Sequence, residues 1–124
     1  MRTRPLMAAL MLTLLLPPVT ASAAGGGVVG GRPPGCPARY CGCGASLEVF
    51  GRIVPGLNLA RSWYKFPRSA PGFNTVAVRP GHVFVLKEHV RDDLWMVKDY
   101  NSGRGKTRYH QRSIRGYTIV SPQS

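Results

Sequence analysis

The sequence predicts an α+β domain: two short N-terminal helices packed on a small antiparallel sheet. Three observations carry that expectation. Apolar residues recur at helical spacing in two early stretches, "CGCGASLEVF" (residues 41–50) and "LNLARSWYKF" (57–66). After Gly72 the period changes, and "HVFVLKEHV" (82–90) is rich in β-branched and aromatic residues. Turn signals, Pro80-Gly81 and "RDD" (91–93), then punctuate the chain at hairpin spacing. Helices followed by a run of strands is the α+β order.

The elements follow in turn. Arg2 and Arg4, the apolar run 6–16 and the small-residue Ala21-Ser22-Ala23 read as a secretory signal peptide over residues 1–23. The run falls short of the roughly 20 apolar residues of a membrane span. The expected location is therefore periplasmic or extracellular, with no membrane attachment after signal removal. "AGGGVVGGRPPG" (24–35) has almost nothing to bury and reads as a flexible Gly/Pro arm. The folded domain is expected over residues 36–122. The first helix starts near Cys41 and stops at Gly51, a residue that readily adopts the left-handed conformation of a helix end. The second, with Leu57, Leu59, Ala60 and Trp63 at helical spacing, stops at Pro67. "NTVAVRP" is a short strand, "HVFVLKEHV" and "LWMVKDY" form a hairpin around "RDD", "NSGRGKTR" is a loop, and the last strand lies near residues 117–120. Trp63 and Trp95 are expected in the core.

Charge narrows the partner class. The chain carries +12; without the two signal-peptide arginines, 15 basic residues face 5 acidic ones, a net +10. Such a balance favours polyanions. For an exported chain these are peptidoglycan or another anionic cell-envelope polymer rather than nucleic acid. The basic residues are scattered except over residues 103–115, so a simple solvated surface is the competing reading.

The hairpin register bears on chemistry. With an even loop, His82, Phe84 and Leu86 share a face with Trp95, Val97, Asp99 and Asn101. His82 then lies opposite Asn101 and diagonal to Asp99, within side-chain reach. The apolar members of this face are expected to pack on the helices. Cys41 begins the first helix, where a thiolate is favoured. A cysteine nucleophile needs a histidine and a polar group that holds the imidazole. Cys41, His82, and Asp99 or Asn101 supply this set. His89 and His110 read as ordinary surface or turn residues.

Three cysteines in an exported chain imply one bridge and one leftover thiol. Positions two apart on a helix point about 200° away from each other. If Cys41 faces the strands, Cys43 faces away, and the expected bridge is Cys36–Cys43 with Cys41 free. The alternative is that Cys41 is itself half of a bridge. Zinc held by Cys41, Cys43 and His82 is disfavoured, because C-x-C is shorter than the usual ligand spacing. No cofactor and no metal are expected.

The ordered set Cys41, "LARSW" (59–63), "GHVFVL" (81–86) and "DYN" (99–101) resembles the CHAP domain, the cysteine- and histidine-dependent amidohydrolase/peptidase, and more distantly the NlpC-type cell-wall peptidases. The resemblance covers about residues 40–120. It implies a papain-like, CHAP-like core and cleavage of amide bonds in cell-wall peptide, by this chain or by an active ancestor of which it is a degenerate relative. It assigns Cys41 as nucleophile, His82 as base, Asp99 as orienting acid and Asn101 as auxiliary polar group. Three positions depart from the family pattern. Asp99 stands for a glutamate, Cys43 for an aromatic residue, and Arg39-Tyr40 where a glutamine precedes the cysteine. The alternative class is a non-catalytic basic module that binds anionic wall polymer or a protein partner.

Overall fold

A computed structural model describes residues 27–123; the expected signal peptide lies outside the described residues. Among the described residues the architecture is a six-stranded antiparallel sheet with one α-helix against it. The strands are β1 (Gly27–Gly30), β2 (Val76–Arg79), β3 (His82–Arg91), β4 (Leu94–Asp99), β5 (Thr107–Ser113) and β6 (Thr118–Val120), in spatial order β1-β5-β4-β3-β2-β6. The helix, α1, spans Cys41–Phe50 and ends at Gly51, whose φ of 72° places it in the left-handed region expected of a helix stop.

This corrects the expected fold class of two helices on a small sheet. The second helix does not form. Residues 55–65 hold two 3-10 segments instead, Pro55–Leu57 and Ala60–Lys65. Local spacing suits either coil, and short 3-10 turns serve where packing fixes the side chains. Trp63 is fully buried, and its indole Nε1–H donates to the Leu57 carbonyl at 2.9 Å. The sheet is also larger than expected. Within the expected flexible arm, β1 pairs with β5 through Gly27↔Tyr109 and Val28↔Arg108. Strand β5 itself is not among the expected elements, because "TRYHQRS" has no apolar alternation to betray it.

The two faces of β3 are both buried: Val83, Phe84, Val85 and Leu86 have no exposed surface. Val83 and Val85 join Val76, Val78 and Val120 under Ala45, Val49 and Trp63. Phe84 and Leu86 join Ala77, Trp95 and Val97 on the opposite face, covered by Ile114, Tyr117 and Ile119. The helix therefore covers the Val83/Val85 face. The expectation that it covers Phe84 and Leu86 is corrected; the chain's own C-terminal segment buries that side.

Two glycines let α1 sit this close. A methyl group at Gly44 would overlap the Tyr100 ring, and one at Gly42 would overlap the Leu57 and Asn58 carbonyl oxygens. At its far end the helix is tied to the sheet by Glu48, which pairs with Lys87 at 2.8 Å and accepts from the Tyr100 hydroxyl at 3.0 Å. Burial alone would raise the Glu48 carboxyl, but Lys87, Tyr100 and Lys98 outweigh it and hold the group below its ordinary value. A partly exposed pair of this kind contributes about 0.2–1 kcal/mol, and one fully buried Val, Leu or Phe about 1.5–3 kcal/mol. Packing therefore places the helix, and the ion pair orients its far end.

Cys36 and Cys43 form a disulfide with Cα atoms 5.7 Å apart, and Cys41 is free and buried. The pairing is the one that helix geometry predicts. It ties the segment before α1 to the helix's first turn, beside Tyr40, Leu47 and Tyr100. Closing so short a loop contributes about 2–3 kcal/mol in chain-entropy terms. Among the described residues, no helix is long and apolar enough to cross a membrane.

Candidate active site

Cys41 is the first residue of α1 and is 6% exposed. Two hairpins deliver the rest. The β2–β3 turn places Arg79 opposite His82 across Pro80-Gly81, with Gly81 at φ 88°. Proline before a positive-φ glycine is the sequence a tight turn of this kind demands. The β3–β4 hairpin turns on Asp92-Asp93, closed by Arg91↔Leu94, and its register slips twice, between Leu86/Glu88 and between His89/Arg91. A single slip would move the far half of β3 to the other face. Two slips restore the parity, so Val85↔Lys98 continues toward His82 opposite position 101 and diagonal to Asp99.

The side chains meet accordingly. His82 Nε2 is 2.6 Å from Asp99 Oδ1. With Nε2 held by the carboxylate, Nδ1 is the nitrogen left to face Cys41, whose thiol lies close enough for each group to shift the other's ionisation. Burial pushes the Cys41 thiol up. The His82 hydrogen bond and charge, with the backbone N–H groups of Val83 and Gly42, outweigh it and lower the thiol below its ordinary value. Burial likewise pushes His82 down, yet Asp99 and the Cys41 thiolate raise it to about 9. Both shifts favour the thiolate–imidazolium form over the neutral thiol and imidazole. Those N–H groups include the unpaired donors of a helix's first turn, which also favour negative charge on an oxyanion.

Asp99 is fully buried and has three partners. Besides His82, His110 Nε2 is 2.7 Å and Arg112 Nη1 2.9 Å from Oδ2. Burial would raise this carboxyl; His82 first, then His110 and Arg112, hold it below its ordinary value. Arg112 is fixed in turn by the Tyr117 hydroxyl at 3.1 Å and lies over the Phe84 ring. Asn101 is not the group that holds His82: among the described residues no Asn101–His82 hydrogen bond forms. Asn101 sits in the left-handed conformation at φ 56° and lines a shallow pocket with His82, Arg79 and Arg112.

Sequence reasoning brings Cys41, His82 and Asp99 together and misses His110 and Arg112. The missing signal lies in strand alternation. Arg108, His110 and Arg112 share one face of β5, and the register Val97↔His110 sets His110 diagonal to Asp99. His89, by contrast, is the surface residue expected: it is exposed on β3, with Nε2 2.8 Å from the Asp92 carbonyl oxygen. The zinc alternative loses one of its ligands, since Cys43 is held in the disulfide.

Cys41 also lines a cleft. The helix start, the first residues of the second 3-10 segment and the Pro80-Gly81 turn form its walls, with Arg39 and Arg61 upon them. A thiol lining a cleft, an imidazole beside it and a carboxylate behind it can serve chemically as nucleophile, proton donor and orienting group. Compared with known proteins, the chain matches no family model, no curated protein and no solved structure.

The pair has a pH signature. Chemistry that needs both thiolate and imidazolium is expected to rise as Cys41 ionises, below the ordinary thiol range, and to fall as His82 deprotonates near pH 9. A profile of kcat/KM against pH that instead climbs through the ordinary thiol range with no decline near 9 would refute the ion pair.

Proposed function

We propose that the chain is an exported cysteine hydrolase of the CHAP-like kind that cleaves amide bonds in cell-wall peptide. One observation carries this reading: the line from Cys41 through His82 to a fully buried Asp99, with the thiol lowered and the imidazole raised. The Cys36–Cys43 disulfide is compatible with export, since such bonds persist in oxidising compartments.

The chemistry is acyl transfer. The Cys41 thiolate attacks the carbonyl carbon, and the carbonyl π electrons move to oxygen, facing the N–H groups of the helix start. The intermediate collapses with loss of the C–N bond, and His82 Nδ1–H gives its proton to the departing nitrogen. An acyl-thioester on Cys41 and a free amine result. Water, deprotonated by the now neutral His82, adds to the thioester carbon; the C–S bond breaks, the carboxylic acid is released, and the Cys41 thiolate and His82 imidazolium are restored. Asp99 holds the ring in one tautomer and stabilises its charged form.

Purified peptidoglycan incubated with the chain from Gly25 onward is expected to yield new free amino groups, and prior treatment with iodoacetamide is expected to stop their release. The rival reading is a non-catalytic module that holds anionic wall polymer. The cationic cleft walls favour it as much as they favour the enzyme. Alkylation of Cys41 no faster than a free thiol, no amine release, and polymer retention lost at high salt would replace the enzyme with the binding module.

A further inference from the structure

The cleft above Cys41 is built from cations without counter-charges. Arg39 and Arg61 are both exposed, and among the described residues neither makes an ion pair. No acidic residue lines the cleft. The chain has only five acidic side chains, and Glu48, Asp93 and Asp99 are engaged elsewhere. Between the two arginines in sequence, Asn58 also lines the cleft. Its Oδ1 is sealed from solvent and has no hydrogen-bond partner among the described residues. A buried acceptor left unmade is costly, about 1–3 kcal/mol, and because Asn58 lines the cleft, a turn of its side-chain amide would bring Oδ1 to a donor there. Leu59, 65% exposed, adds an apolar lining between them.

We propose that this cleft selects amide substrates that carry a free carboxylate beside the scissile bond, with Arg39 and Arg61 holding the carboxylate and Asn58 Oδ1 accepting a peptide N–H of the same substrate. The inference rests on the reading of Cys41 as a nucleophile and names the substrate that nucleophile meets. Guanidinium groups suit the role because their planar N–H fork matches a carboxylate. The occupant is a short acidic peptide whose backbone enters past Leu59, not a neutral amide.

Two alkylating reagents of nearly equal size separate the possibilities. Iodoacetate carries a carboxylate and iodoacetamide does not. At low salt, the ratio of their rates at Cys41 is expected to stand about tenfold above the same ratio for glutathione, from local attraction of the anion. Arg39→Gln/Arg61→Gln is expected to return the ratio to within about twofold of that for glutathione, and about 0.5 M salt to do much the same. A matched pair of peptide substrates, one with a free carboxylate next to the scissile amide and one with a carboxamide there, is expected to show the same preference in kcat/KM, lost in the double variant. If both reagents react fast but their ratio is equal in wild type and double variant, carboxylate recognition falls and the nucleophile stands. If neither reagent reacts faster than with glutathione, the nucleophile reading falls and takes the substrate assignment with it.

Discussion

Cys41→Ser is expected to abolish peptide release from purified peptidoglycan, by about 10³-fold or more, while the far-ultraviolet circular dichroism and thermal midpoint stay close to wild type. Serine nearly preserves the volume of a side chain that is 6% exposed, so the packing around it survives. It cannot supply the thiolate. His82 and the N–H groups of Gly42 and Val83 stabilise a sulfur anion whose formation is already favoured below the ordinary thiol range, whereas a hydroxyl ionises far above it. The wild-type thiol is expected to react with iodoacetamide near neutral pH well ahead of a free thiol of pKa about 8.5. Retained hydrolysis in Cys41→Ser would remove Cys41 from the chemistry. The single thiol makes the alkylation readout clean, because Cys36 and Cys43 are bonded to each other.

The second large effect belongs to Asp99. Asp99→Asn is expected to lower kcat/KM by roughly 10²–10⁴-fold, as loss of an orienting carboxylate does in triad enzymes, and also to destabilise the fold. Three groups close on this carboxylate within 2.9 Å: His82, His110 and Arg112. Removing one partner of a buried charge cluster costs about 3–5 kcal/mol, a fall of roughly 10–25 °C in thermal midpoint for a domain of this size. The sign with pH is definite. Asp99 is lowered in the fold, so its contribution is present above the unfolded carboxyl value of about 3.9 and is lost as pH falls through the lower folded value. His82 is raised to about 9, so its contribution is present below the unfolded value of about 6.5 and fades as pH rises through 9. In Asp99→Asn the alkaline decline of activity is expected to move below 9, because the imidazolium has lost its principal partner. A purely structural role for Asp99 would lower stability and leave that decline in place. Asn101 does not compensate, since it faces the shallow pocket beside His82 rather than bonding the ring.

Local periodicity makes much of this site legible in the residues alone. A helix turns about 100° per residue, which is enough to separate Cys41 from Cys43 and send the latter to Cys36. Strand alternation has period two, which is enough to place His82 and Asp99 on one face across an even turn. The stop at Gly51 and the turn at Pro80-Gly81 depend on single residues whose backbone preferences act without neighbours. The two slips inside the β3–β4 hairpin leave no trace in the residue pattern; together they shift the pairing by two residues, which keeps His82 and Asp99 on one face.

Long-range packing decided the remainder. Whether residues 55–65 coil as α or 3-10 depends on the seat of Trp63 under α1, not on their apolar spacing, which suits either. Strands β1 and β5 owe their existence to backbone pairing with β4 and with each other; β1 is glycine and exposed valine and β5 is mostly polar, so neither advertises a buried face. His110 and Arg112 gain meaning only through that pairing, because the carboxylate they share lies on a neighbouring strand. The face of β3 that the helix covers was equally open, since Val83 to Leu86 is apolar on both sides and either set would suit a core. A chain segment announces its own period, but its partner is chosen by the free energy of burying surfaces that lie far apart in sequence.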